Sequence, residues 1–178
     1  MLTRPQAGEG PAQQLSFVAA IALVRTLDRW VAPGRLTLKW PNDLLLDGVK
    51  VAGILLEGTA GATIIGFGVN LAGHPDASER PATSLPAAGV VAPGTAAVAE
   101  HLAVTFAVVR AAWRETGFAP VRAEWLTRAS GLGDRLEARL GAESVTGTFT
   151  GIAADGALLL TRDDASVRAI HAGEVFAL

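Results

Sequence analysis

Short apolar runs broken by turn-forming residues set the texture of this chain. Residues 12–30 place Leu15, Val18, Ala22 and Val24 toward one side, after Pro11 and before Ala32-Pro33-Gly34, which predicts a helix. RLTLKW alternates as a strand does and runs into a Trp40-Pro41-Asn42-Asp43 loop. Leu44–Leu46 and Val49–Glu57 flank Asp47-Gly48, the dipeptide of a hairpin turn that needs positive φ at both centres. ATIIGFGVN predicts a further buried strand, and residues 71–94, with four prolines, predict a loop. A long helix follows over Thr95–Thr116, stopped by Gly117, and a shorter one from Pro120 to about Ser130. From Gly131 the period changes: DRLEARL, ESVTGTFTGI, GALLLTR, SVRAI and EVFAL predict short strands of a small barrel-like module. The pattern divides the chain into residues 1–130 and 131–178.

Composition narrows the function classes. Half the residues are hydrophobic, 18% are charged and the formal charge is −2, so the chain is a folding one without the basic footprint of a nucleic-acid binder. No cysteine is present, and His74, His101 and His171 lack metal-ligand spacing, so no metal site is assigned. LSFVAAIALV (15–24) is too short to span a bilayer and runs directly into Arg25, Asp28 and Arg29. The expectation is a soluble, cytoplasmic protein with neither membrane nor nucleic acid as partner.

Candidate chemistry enters through an uneven distribution. Thirteen cations are arginine; the two lysines, Lys39 and Lys50, and the two asparagines, Asn42 and Asn70, all fall within residues 39–70. A strand over Val49–Glu57 puts Lys50 on one face with Ala52, Ile54 and Leu56, where an ammonium is costly unless it meets an anion. Gly53, Gly66 and Gly68 permit close approach of a ligand, and Asn42 and Asp43 sit on a proline-stiffened loop. The set suits a phosphate- or carboxylate-bearing ligand. Each residue also has a structural reading: Lys50 as a solvated edge lysine, Asp43 as a turn residue, the glycines as bulges, Asn70 as a strand end.

KWPND, GVKVAGILLE and GFGVN, in that order and spacing, resemble the central motifs of biotin–protein ligases, and the similarity extends through PATSL, FAPVRAEWL and the C-terminal β module. The resemblance implies an α+β fold: a mixed, mainly antiparallel sheet with packing helices, like class II aminoacyl-tRNA synthetases, followed by a small SH3-like β-barrel. It implies ATP-dependent formation of biotinyl-5′-AMP and transfer of biotin to a lysine of a carrier domain. That partner is the biotin carboxyl carrier domain of acetyl-CoA carboxylase or a related carboxylase. Biotin and ATP are then substrates, Mg2+ accompanies ATP, and a homodimer is possible. Lys50 and Asp43 become the catalytic residues; Lys50, Gly53, Ile54, Gly66 and Gly68 line biotin; Asn42, Asp43, Gly53 and Asn70 face the adenylate.

One departure qualifies that expectation. Family members carry a Ser-Thr-Asn strand end and a Gly-Arg-Gly-Arg-x-Gly-Arg loop upstream of the region matching LTRPQ, and residues 1–178 hold neither. A misplaced start or gene fragment is the favoured account; a second chain and a degenerate homologue are the others. An arginine-rich lid protects a reactive anhydride from water, so activity of the chain as given is in question. Two other functions stay open: a lipoate- or octanoate-handling ligase or transferase of the same superfamily, and an inactive carrier-binding or oligomer-forming remnant.

Overall fold

The structure, a computed structural model, describes residues 1–75, 81–141 and 143–178. Part of the expected 71–94 loop, residues 76–80, lies outside the described residues. The first sheet contains β1 (Leu2–Thr3), β2 (Leu36–Lys39), β3 (Asp43–Leu46), β4 (Val49–Thr59) and β5 (Ala62–Val69), in the order β1-β5-β4-β3-β2. Every ladder in it is antiparallel, so the expected mixed character reduces to two isolated parallel bridges, Leu38 to Ala129 and Lys50 to Ala82. The β3–β4 turn has φ of 52° at Asp47 and 81° at Gly48, as that dipeptide demands.

Helix α1 (Leu15–Leu27), entered through a 3-10 turn at Ala12–Gln14, departs from the expected one-sided pattern. All its residues except Ser16 and Arg25 are buried, because the sheet covers one side and α2 (Thr95–Thr116) and α3 (Phe118–Thr127) cover another. Helix α2 has the length and composition of a bilayer-crossing helix, but its stripe of Val98, Leu102, Phe106, Val109 and Trp113 is buried where it packs against α1. Gly117, at φ +75°, ends α2 and begins α3. The shorter helix therefore starts at Phe118 rather than Pro120, which brings Phe118 edge-on to Phe17 at 5.2 Å.

The second sheet contains β6 (Arg135–Leu140), β7 (Glu143–Ile152), β8 (Leu158–Thr161), β9 (Val167–Ile170) and β10 (Glu174–Ala177), ordered β10-β6-β7-β8-β9 and antiparallel throughout. The expected SH3-like barrel is not confirmed: among the described residues the strands form an open sheet. Strands β9 and β10, four residues each, are the two edges, and no ladder joins them among the described residues. Phe176 of β10 instead lies against Lys39 of the first sheet. Side-chain hydrogen bonds also tie the halves together: Trp40 Nε1 donates to Gly156 O (3.1 Å), Gln14 Nε2 to Ala154 O (3.0 Å) and Arg122 Nη1 to Ile152 O (3.3 Å).

Candidate active site

The site begins with a fault in the β3–β4 ladder. Pairing runs Leu46–Val49, Leu45–Lys50, then Leu44–Ala52 and Asp43–Gly53, which leaves Val51 as an extra residue. A one-residue slip exchanges the faces of a strand. Lys50 therefore does not share the buried face with Ala52 and Ile54, as simple alternation predicts. Its side chain lies over Gly53, where a Cβ would meet Lys50 Cε, Lys50 Nζ and Asp43 Oδ1, each at 3.4 Å. Lys50 Nζ pairs with Asp43 Oδ1 at 2.5 Å; the Asp43 side chain is 11% exposed and that of Lys50 39%.

Cross-strand register extends the row. Lys39, Asp43, Gly53 and Gly68 are successive partners across β2, β3, β4 and β5, and Leu55 faces Gly66 in the next row of the same face. Helix α1 packs the other face. This one is open: Gly66 and Gly68 are exposed and Leu55 is 57% exposed. Three glycines and one leucine thus form a shallow apolar trough that ends at the Lys50–Asp43 pair. Such a surface accepts a flat apolar body with an anionic end.

The remaining predicted residues serve this frame differently. Asn42 Nδ2 donates to Ile54 O (2.8 Å), and Ile54 N–H donates back to Asn42 O (2.9 Å). Ile54 itself is buried on the α1 face, so its side chain is not in the glycine trough. Asn70 Nδ2 donates to Thr83 O (2.8 Å), while Asn70 N–H bonds Val51 O and Thr83 N–H bonds Lys50 O. Both asparagines use their amide nitrogens to fasten strand ends beside the site. Asn42→Asp, which turns a donor into a carboxylate facing Ile54 O, is expected to cost about 1–3 kcal/mol, read as a lower urea midpoint at unchanged m-value.

Two neighbours were not assigned a role from the sequence. Lys39 and the Gly173–Val175 segment join Trp40–Asp43 and Lys50 around a cavity of ≈310 Å3. A second cavity of ≈420 Å3 shares Lys39, Asp43 and Lys50 and reaches Asp134, Val175 and Phe176. The concentration of lysine was the available signal for Lys39; nothing local marks β10, which arrives from the other end of the chain. Arg139 stands behind Phe176 at 4.2 Å from the ring centroid, its pKa raised by a hydrogen bond to Glu137 and by the charge of Glu174. The histidines lie elsewhere: His74 near Ser84, His101 against Trp30, and His171 near Asp155.

Residues 2–72 match the Biotin/lipoate A/B protein ligase family and residues 131–178 the Biotin protein ligase C terminal domain. The chain is 44% identical to a biotin–[acetyl-CoA-carboxylase] ligase of Paracoccus denitrificans, over 99% of this chain and 78% of that protein. It is 30% identical to the bifunctional ligase/repressor BirA of Bacillus subtilis, over 98% of this chain and 56% of that protein. In fold it resembles the biotin protein ligase of Aquifex aeolicus solved with biotin and ATP, at a TM-score of 0.87 and 21% identity, covering 100% of this chain and 77% of that one. Two family matches at opposite ends and a 44% identical relative aligned along nearly the whole chain agree with the ordered motifs, and the chain belongs to the biotin–protein ligase family.

Proposed function

We propose that this chain holds the adenylation and transfer centre of a biotin–[acetyl-CoA-carboxylase] ligase. The observation that carries this reading is the Lys50 ammonium, held by Asp43 over Gly53 at the end of the glycine trough. Biotin lies along Gly53, Gly66 and Gly68 with its carboxylate at Lys50. A carboxylate oxygen attacks the α-phosphorus of ATP, the α–β bridging bond breaks, and its electron pair leaves with pyrophosphate. Lys50 offsets the charge gathered at phosphorus. In the second step the amine of a carrier-domain lysine attacks the carbonyl carbon of biotinyl-5′-AMP and AMP departs. Asp43, already hydrogen-bonded to an ammonium, is built to orient that amine and take its proton.

Asn42 and Asn70 support the adenylate side by fixing the strand ends there, and Ile54 contributes its backbone. Asp43 and Glu174 on one cavity wall fit a magnesium ion held mainly by ATP phosphates and water, where it would neutralise phosphate charge. Residues 1–130 then form the catalytic unit. Residues 131–178 bring β10 against it and act on the nucleotide or the carrier. The match of 131–178 to a biotin-ligase domain favours biotin over lipoate.

The test is labelling of the biotin carboxyl carrier domain of an acetyl-CoA carboxylase by the 178-residue chain, with ATP, magnesium and biotin. Expected is covalent biotin on the carrier, dependent on ATP and resistant to competition by lipoate or octanoate. Carrier association that is indifferent to ATP and biotin, without transfer, would instead support a non-catalytic remnant.

A further inference from the structure

The Val51 bulge decides which face Lys50 takes, so whatever holds the bulge holds the ammonium. Val51 is itself buried, which fixes the fault through its side chain. The backbone is fixed from outside the β3–β4 ladder. Lys50 O accepts Thr83 N–H at 2.8 Å, beside a parallel bridge between Lys50 and Ala82, and Val51 O accepts Asn70 N–H at 2.9 Å. Residues 81–85 thus form a strap across the start of β4.

The strap is fastened on its far side as well. Asn70 Nδ2 donates to Thr83 O (2.8 Å), and Leu85 N–H donates to Asn70 O (3.1 Å). Next to Thr83 stands Ser84, only 3% exposed, a buried hydroxyl that the adenylation reading does not use. Its oxygen accepts Ala87 N–H at 3.4 Å, which directs the hydroxyl proton to His74 Nδ1 at 3.3 Å. Ala88 N–H donates to Ser84 O (3.1 Å), and Arg35 Nη2, paired with Asp47 of the β3–β4 turn, donates to Ala88 O (2.7 Å). Ser84 therefore joins the two segments, 70–74 and 83–88, whose amides hold the carbonyls of the bulge.

We propose that Ser84 is a positioning residue for Lys50: its hydroxyl, clasped between His74 Nδ1 and Ala87 N–H, keeps Thr83 N–H on the Lys50 carbonyl. The proposal rests on the adenylation reading above and deepens it, because Lys50 is the cation being placed. Ser84 meets neither biotin nor nucleotide; it acts through the backbone. Without the clasp the strap loses its tie to His74, the Lys50 carbonyl loses a fixed donor, and the bulge is free to shift. A shift of one residue carries the ammonium away from Asp43 and Gly53.

The experiment reads the lysine directly. A chain carrying carbon-13 at the lysine Cε has two labelled side chains, Lys39 and Lys50, and Lys39→Arg and Lys50→Arg assign the two signals. Ser84→Ala is expected to shift or broaden the Lys50 signal, leave that of Lys39 nearly unmoved, and slow single-turnover pyrophosphate release about three- to tenfold. His74→Ala, which removes the same contact from a half-buried position, should do likewise. His74→Asn, which keeps an acceptor near the Nδ1 position, should stay close to wild type. Combining Ser84→Ala with His74→Ala should be no worse than either alone. If Ser84→Ala does not fold, the two His74 variants decide. An unmoved Lys50 signal in the alanine variants overturns the proposal, and so does equal displacement of both lysine signals, which marks general loosening. A wild-type chain that releases no pyrophosphate overturns the adenylation reading alone, since the lysine signals still judge the clasp.

Discussion

Lys50→Ala is expected to slow formation of biotinyl-5′-AMP by about 10²–10³-fold, the loss typical when one preorganised charge or donor is removed from a transition state. The ammonium is held in place before substrate arrives, since Asp43 fixes it at 2.5 Å and Gly53 leaves room beneath it. Its removal also strands the Asp43 carboxylate, whose side chain is 11% exposed. That second effect has to be separated from the first. Lys50→Ala combined with Asp43→Asn removes the stranded charge, so a rate that recovers in the double variant would assign the defect to Asp43. No recovery of adenylation is expected. Lys50→Arg is the sharper probe, because a guanidinium is planar and wider than the ammonium that lies over Gly53 beside Asp43. Single-turnover pyrophosphate release measures all three variants, and undiminished release by Lys50→Arg would sink the assigned role of Lys50.

The elements that alternation and turn chemistry govern were readable in advance. The Asp47-Gly48 hairpin, the exact span of α2 up to Gly117 and the five strands after Gly131 all follow from residues acting on their own neighbours. What escaped depends on distant partners. The slip at Val51 reverses the face of Lys50, yet Val-Lys-Val-Ala carries no glycine or proline to mark it; the fault arises from how β3 meets β4. Helix α1 is buried along all but Ser16 and Arg25 because two further helices close over it, which a periodicity count on one segment does not contain. The second sheet stays open because β10 turns toward Lys39 and not toward β9. At the site, residue types were legible and their division of labour was not. Lys50 and Asp43 meet over Gly53, while Asn42 and Asn70 spend their amides on Ile54 O and Thr83 O, and the Ile54 side chain lies on the other face.

Trp125→Ala is expected to lower global stability by about 3–5 kcal/mol, the range for deleting a large aromatic from a packed interior. Trp125 is 1% exposed and sits edge-on to Phe17 of α1 at 5.4 Å, with Phe149 of β7 beyond it at 6.5 Å. It therefore belongs to the cores of both sheets at once. For a fold of this size that loss is a large fraction of the roughly 5–15 kcal/mol available. If the aromatic chain welds the halves, amides of α1 and of β7 should lose hydrogen-exchange protection by the same amount in the variant, and denaturation should remain one transition. Trp30, half-buried at the margin of the core and edge-on to His101, is the control, and Trp30→Ala should cost much less. Loss of protection confined to α1, with β7 unchanged, would mean that the second sheet folds on its own. The position of β10 beside Lys39, Asp43 and Lys50 would then depend on polar ties such as the Trp40–Gly156, Gln14–Ala154 and Arg122–Ile152 hydrogen bonds rather than on a shared core.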